Sequence, residues 1–164
     1  MIRYARFTTS FGRVFATARD GAVTGIYFEG QRHAPAIDPG WTEDPADAAL
    51  VECARQLCDY LEGRRRGFEL PLAPEGTPFQ RRVWSEIARI PFGATLSYTE
   101  LAARAGSPAA ARAAGAATGR NPLSVVVPCH RVVGSAGALT GYAGGLERKA
   151  RLLELEGVRE PAAA

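Results

Sequence analysis

The stretch TPFQRRVWSEIARIPFGATLSYTELAARAGSPAAARAAGAATG, residues 77–119, decides how the second half of this chain folds. Thr77 can accept a hydrogen bond from the first helical turn. Pro78 has the φ that a first helical residue needs and no N–H to leave unpaired, and Gln80 is placed to close a capping box. Phe79, Val83, Trp84, Ile87 and Ile90 recur at helical spacing and predict one buried face. Pro91, Phe92 and Gly93 stop that helix. A second predicted helix begins over residues 97–103 and breaks at Gly106, Ser107 and Pro108, before an alanine-rich stretch over 109–119. Two short helices about a tight turn suggest a helix-turn-helix.

Toward the C-terminus, Val125, Val126 and Val127 form a short buried strand candidate that delivers the chain to Pro128-Cys129-His130-Arg131, with Val132 and Val133 beyond. Residues 134–145 are a loop with five glycines, and residues 146–156 predict a last helix with Leu152, Leu153 and Leu155 apolar. Residues 158–164 are expected to be a disordered tail. Toward the N-terminus, residues 71–76 mark a linker, because charge and composition change there. Phe68 to Leu72 could add a strand. Residues 47–63 place Leu50, Cys53, Ala54, Leu57 and Leu61 on one helical face, with Gly63 as the stop. Residues 31–45 lack periodicity and predict a loop. Residues 2–28 alternate in short runs broken at Phe11-Gly12 and Asp20-Gly21, which predicts three antiparallel strands. Two domains follow, 1–76 and 77–164.

The length of 164 residues suffices for a real hydrophobic core without disulfides or metal. No apolar run approaches the roughly 18 residues of a membrane span, nor has the layout of a signal peptide, so a cytoplasmic protein with no membrane partner is expected. Three cysteines, an odd count, fit free thiols in a reducing compartment. The net charge of +3 is unevenly spread, −2 before Thr77 and +5 from it onward, so the second half is the candidate partner of a polyanion. Arg64-Arg65-Arg66 is expected to be a solvated run.

A thiol attacks only as thiolate, so a functional cysteine needs a base or a positive field to lower a pKa that starts near about 8.5. Cys129 has His130 beside it. Neighbouring side chains on a strand or turn point apart, so a water is the expected link, and the imidazole needs a carboxylate to orient it. Glu156 can supply one. An arbitrary Cys-His pair is more often a buried small residue with a satisfied neighbour. Here several further features share the same basic half.

Pro128-Cys129-His130-Arg131-Val132-Val133 resembles the active-site hexapeptide of the O6-alkylguanine-DNA alkyltransferases, and Gly119-Arg120-Asn121-Pro122 resembles their asparagine hinge. Thr77-Pro78-Phe79-Gln80 with Val83-Trp84, Ser97-Tyr98, Ala110-Ala111-Arg112-Ala113, Tyr142 with Gly144-Gly145, and Leu155-Glu156-Gly157 follow in that family's order and spacing. The resemblance implies an α/β (α+β) chain. Its N-terminal domain would be ribonuclease H-like, an antiparallel sheet with a helix, and its C-terminal domain mainly helical and winged-helix-like. It implies that Cys129 accepts the alkyl group, with His130 taking the thiol proton through a water, Glu156 orienting His130, and Asn121 bracing the turn. Tyr98 would donate toward N3 of the departing guanine. Arg112 would fill the space of a flipped nucleotide, and Ala113, Gly115, Ser124, Tyr142 and Ala143 would complete the DNA and substrate contacts. The implied partner is double-stranded DNA carrying alkylated guanine, met through the minor groove by a monomer, with cooperativity on DNA, alkyl size and O4-alkylthymine left open. The near absence of side chains other than alanine and glycine on residues 109–118 suits close backbone approach.

Ala143 departs from the pattern, since the family's pocket often carries serine there. A hydroxyl donor toward O6 is missing, and backbone N–H groups would have to replace it. Some relatives hold a structural zinc in the first half, but this half offers only Cys53, Cys58 and His33. Two cysteines five residues apart on a helix converge poorly, so no metal and no cofactor is expected. Two other functions remain open from the residues. One is a lesion-binding protein that flips alkylated bases without transfer, against which Cys129 itself argues. The other is a Cys-His-Glu hydrolase, which would not need a basic helix-turn-helix.

Overall fold

The structure is a computed structural model and describes residues 1–158. Of the expected tail, residues 159–164 lie outside them. The chain divides into two compact units, Met1–Glu75 with Pro122–Val126, and Gly76–Asn121 with the chain from Val127 onward.

The first unit is a four-stranded sheet, β1 (Arg3–Thr9), β2 (Gly12–Arg19), β3 (Ala22–Phe28) and β4 (Thr42–Glu43), in the order β3-β2-β1-β4. The first three strands are antiparallel, as the alternation predicts. Asp20 and Gly21, at φ 51° and 80°, make the β2–β3 turn, where two positive φ angles match the twist of the flanking strands. β4 corrects the expectation of a featureless 31–45 loop: two residues pair parallel with β1, too few to leave a pattern in the sequence. β2 is central and buried from Val14 to Ala18. Helix α1 (Ala48–Leu61) packs against β1, β2 and β3 through Leu50, Cys53, Leu57, Tyr60 and Leu61. Asp47 caps it by accepting from the N–H groups of Ala49 and Leu50.

Two other expected strands are corrected. Residues 68–72 form only one bridge, Leu72 to Val23, because Pro71 and Pro74 have no N–H to extend a ladder. Val125–Val127 is a turn, with Val125 at φ 71°, where a β-branched residue is strained. The strand-like contact falls two residues earlier: Ile26 donates to Pro122 O at 2.7 Å and accepts from Ser124 N at 3.2 Å. The outer edge of β3 is thus covered by two short segments, which protects an otherwise open strand.

The second unit begins with α2 (Pro78–Ala88), which has both bonds of the Thr77–Gln80 capping box. Val83, Trp84, Ile87 and Ile90 are buried, and Phe79 is half-buried. After the Gly93 turn come β5 (Leu96–Ser97) and α3 (Tyr98–Arg104), with a second capping box from Ser97 and Glu100. Gly106 turns the chain at φ 90°, a 3-10 turn covers Pro108–Ala110, and α4 (Ala111–Gly119) follows. Trp84 Nε1 donates to Ala117 O at 2.8 Å and pins α4 to α2. β6 (Val132–Val133) pairs parallel with β5, and α5 (Leu146–Leu155) closes the unit with Leu152 and Leu153 fully buried.

Candidate active site

The β5–β6 pair positions the chemistry. Leu96 lies beside Val132 and Ser97 beside Val133. Tyr98 is the residue after one strand, and the 3-10 turn Cys129–Arg131 is the turn before the other. Two residues about 30 apart in sequence are therefore held by one short ladder. Pro128, at φ −81° and ψ 64°, leads into the turn, and Asn121 Nδ2 donates to Val127 O at 2.8 Å on its N-terminal side.

Cys129, His130 and Arg131 are all buried. His130 Nε2 lies 2.7 Å from Glu156 Oε2. Arg131 holds the same carboxylate with two donors, Nε to Oε1 at 2.7 Å and a terminal N–H to Oε2 at 2.9 Å, and also donates to Ile90 O at 2.7 Å. Glu156, the C-cap of α5, is buried with three charged or polar donors upon it, an arrangement that keeps it ionised. An ionised carboxylate needs a donor, so Nε2 carries the imidazole proton and Nδ1 keeps its lone pair. Nδ1 has no hydrogen-bond partner among the described residues. Burial pushes the His130 pKa down; the bond to Glu156 opposes this without overcoming it. The imidazole is a neutral base with its accepting nitrogen open.

Burial pushes the Cys129 thiol up, against the lowering effect of a side-chain hydrogen bond from Asn121, the charge of Lys149 and the backbone N–H groups of Cys129 and His130. Desolvation outweighs these favourable contacts, so the resting sulfur is protonated and a base is needed to ionise it. Cys53, with no such contacts, is pushed up to about 12. Cys53 is buried and Cys58 half-buried, as their places on the helix predict.

Tyr98 Oη donates toward Thr140 O and Gly141 O at 3.3 and 3.4 Å, and its pKa is raised by burial and then by the nearby Cys129. Gly115 on α4 faces its ring, since a Cβ there would lie 3.8 Å from Tyr98 Cδ1. Tyr142 meets the His130 ring edge-on at 6.4 Å, and Ala143 beside it is half-buried. Cys129, His130, Glu156, Asn121, Tyr98, Gly115 and Tyr142 are thus gathered in one unit. Arg112 and Ala113 are exposed on the first turn of α4. Ser124 is buried in the first unit, its hydroxyl 3.1 Å from Gln31 Oε1. Two residues carry more than the sequence suggests. Arg131 appears in the hexapeptide without a role, yet it neutralises Glu156. Lys149 is fully buried, and its one visible signal was that it is the only lysine in the chain.

Fold and site together place a buried cysteine, histidine and glutamate in the unit that carries the short helices α2, α3 and α4. Two sequence-family models match the chain: the ribonuclease-like domain of 6-O-methylguanine DNA methyltransferase over residues 2–74, and the DNA binding domain of the same protein over residues 78–158. The chain belongs to the 6-O-methylguanine DNA methyltransferase family. A methylated-DNA–protein-cysteine methyltransferase of Mycolicibacterium paratuberculosis is 44% identical over 162 residues, 99% of this chain and 96% of its own. One from Methanosarcina acetivorans is 40% identical, covering 94% and 97%. Among solved structures, Mycobacterium tuberculosis OGT in complex with DNA superposes with a TM-score of 0.89 at 40% identity, covering 97% of this chain and 95% of that one.

Proposed function

We propose that this chain carries out direct-reversal DNA repair, moving a methyl or larger alkyl group from O6 of guanine in duplex DNA to its own Cys129, once per molecule. The observation that carries this is the buried Cys129 followed by His130, whose Nε2 is committed to Glu156 and whose Nδ1 is open. The thiol proton passes through a water to Nδ1. The thiolate attacks the alkyl carbon, an S–C bond forms, the C–O6 bond breaks and its electron pair stays on guanine, which takes up a proton with Tyr98 as the donor toward N3. The product is a thioether, and no group in the site can regenerate the thiol.

A buried sulfur cannot reach O6 inside a duplex, so the nucleotide must leave the stack at a cost of a few kcal/mol. α4 suits the DNA side: Arg112 and Ala113 are exposed, and small residues allow close approach to the minor groove. The net charge of +5 from Thr77 onward supplies attraction to phosphate. We take residues 1–76 and 77–164 as the two domains, with 122–126 contributed to the first, and place the protein in the cytoplasm on the ground of its three free thiols. Among the described residues no helix is long and apolar enough to cross a membrane.

Incubation with a duplex containing O6-methylguanine, followed by intact mass and peptide mapping, tests the proposal. The expected result is one methyl on Cys129, absent in Cys129→Ser, which retains DNA affinity. Binding without mass change, or repeated turnover of an ester, would overturn it.

A further inference from the structure

Lys149 lies one turn into α5 and is fully buried. Its Nζ lies 2.6 Å from Val132 O, 2.8 Å from Thr140 O and 3.2 Å from Gly141 O. Three acceptors use all three N–H bonds of an ammonium; a neutral amine has only two, so the observed geometry is that of the charged form. Two of those carbonyls, Thr140 and Gly141, also accept from Tyr98 Oη, and Nζ sits 5.9 Å from the Tyr98 ring centroid. One cation therefore ties the 134–145 loop to β6, directly after the Cys129 turn, and fixes the surroundings of the Tyr98 phenol.

The charged and titratable groups around it can be counted. From α3 comes Tyr98, from the 3-10 turn Cys129, His130 and Arg131, from the 134–145 loop Tyr142 against the His130 ring, and from the end of α5 Glu156, while Arg148 turns to Gly144 O. Glu156 and Arg131 cancel, and His130 is neutral. With Cys129 as a thiol, Lys149 leaves the buried site one positive charge in excess. With Cys129 as thiolate, that excess is gone.

We infer that Lys149 is a positioning residue for the alkyl transfer: its ammonium locks the loop beside Tyr98 and gives the site the one positive charge that negative charge developing on sulfur neutralises. This rests on Cys129 being the acceptor, and the tests below use no DNA, so they report on Lys149 whether or not transfer to Cys129 occurs. Burial holds the Lys149 ammonium down to about 8, so the charge is present at neutral pH and lost above it. An ordinary thiol becomes more reactive as pH rises toward 9; Cys129 instead loses its counter-charge over that range.

The experiment follows alkylation of Cys129 by iodoacetamide from pH 6.5 to 9.5, resolved by peptide mass mapping, in wild type, Lys149→Arg and Lys149→Met. The expected wild-type rate flattens or falls above about pH 8. Lys149→Arg, whose cation does not titrate here, keeps rising, and Lys149→Met is about tenfold slower at pH 7.5, the equivalent of one pH unit in the thiol. Because the chain has one lysine, lysine-specific 15N labelling gives one Nζ signal, expected to titrate near 8. If Lys149→Met does not fold, the comparison of wild type with Lys149→Arg decides together with this titration. Parallel rate profiles in those two proteins, or an Nζ midpoint near 10.5, would overturn the inference.

Discussion

Glutamine in place of Glu156 removes one buried charge while keeping the side chain's shape, and it should separate stability from reactivity. One carboxylate oxygen becomes an NH2 group. If it takes the place of Oε1, it meets Arg131 Nε–H, now 2.7 Å away; if it takes the place of Oε2, it meets an Arg131 terminal N–H at 2.9 Å as well as His130. Either way a donor faces a donor, and a guanidinium whose side chain is only 9% exposed loses its counter-charge. Removing one partner of a buried pair costs about 3–5 kcal/mol, because the other charge is left uncompensated. The bond to Ile90 O and one amide oxygen remain for Arg131, so the lower end, about 3 kcal/mol, is the expected loss. With a urea slope of about 1–3 kcal/mol/M, the midpoint falls by roughly 1–3 M, read from the fluorescence of buried Trp84.

Reactivity falls by a different route. With the amide NH2 in the place of Oε2, Nε2 becomes the acceptor and the imidazole proton moves to Nδ1, the atom that has to receive the thiol proton; with it in the place of Oε1, Nε2 faces a neutral amide oxygen that stabilises the imidazolium less than a carboxylate does. Single-turnover transfer in the absence of urea should drop by about 10²–10⁴, the usual worth of a positioned base. Replacing Glu156 and Arg131 together by methionine should restore part of the stability and none of the transfer, because no buried charge is stranded yet His130 has lost its orienting partner. A midpoint within about 0.3 M of wild type for Glu156→Gln, or an unchanged transfer rate, would refute this account of the cluster.

Asn121→Ala strands Val127 O and removes a hydrogen bond to the sulfur, so a loss of about 1–3 kcal/mol in urea melts should accompany slower iodoacetamide labelling of Cys129. Acid should destabilise the protein through His130. Its folded pKa is below 6.5, so the unfolded chain binds the proton first; this contribution is complete above 6.5 and is lost as pH falls below it. His130→Asn should flatten the stability profile between pH 6.5 and the start of general acid unfolding. Arg112→Ala should slow methyl transfer from duplex DNA more than from a single strand, where no stack has to be filled; equal rates on duplex for wild type and variant would remove the wedge role.

The parts of this chain that were legible in its sequence are those whose signal is local. Asp20-Gly21 has to turn because it is flanked by alternating runs, and Thr77-Pro78-Phe79-Gln80 has to start a helix because three separate preferences coincide. Val125–Val127 shows where local signals fail. Three valines score as strand, but an apolar run only records burial, and here burial is met by a turn with Val125 at φ 71° while the bridge forms at Leu123. β4, β5 and β6 are two residues each, below the length at which any period exists. In the site, Cys129, His130 and Glu156 were singled out by residue chemistry and then by resemblance to a family. The bidentate grip of Arg131 and the burial of Lys149 were not, because charged residues belong on the surface by default and only the fold shows what pays for burying them.

Burial of Cys129 looks at first like a fault in a nucleophile, since it holds the thiol in its unreactive form. For a residue that, in the proposed reaction, is used once and never restored, the balance differs. An exposed, lowered thiol is open to oxidation and to every soluble electrophile, and each such event would consume a whole molecule. A protonated sulfur at 6% exposure reacts more slowly with both. The groups that could ionise it, Asn121, His130 and Lys149, are already in position, so activation needs no rearrangement of charge around the sulfur, only an electrophilic carbon at contact distance and a route for one proton to His130 Nδ1. Selectivity for a base delivered into the site then follows from the same desolvation that raises the pKa.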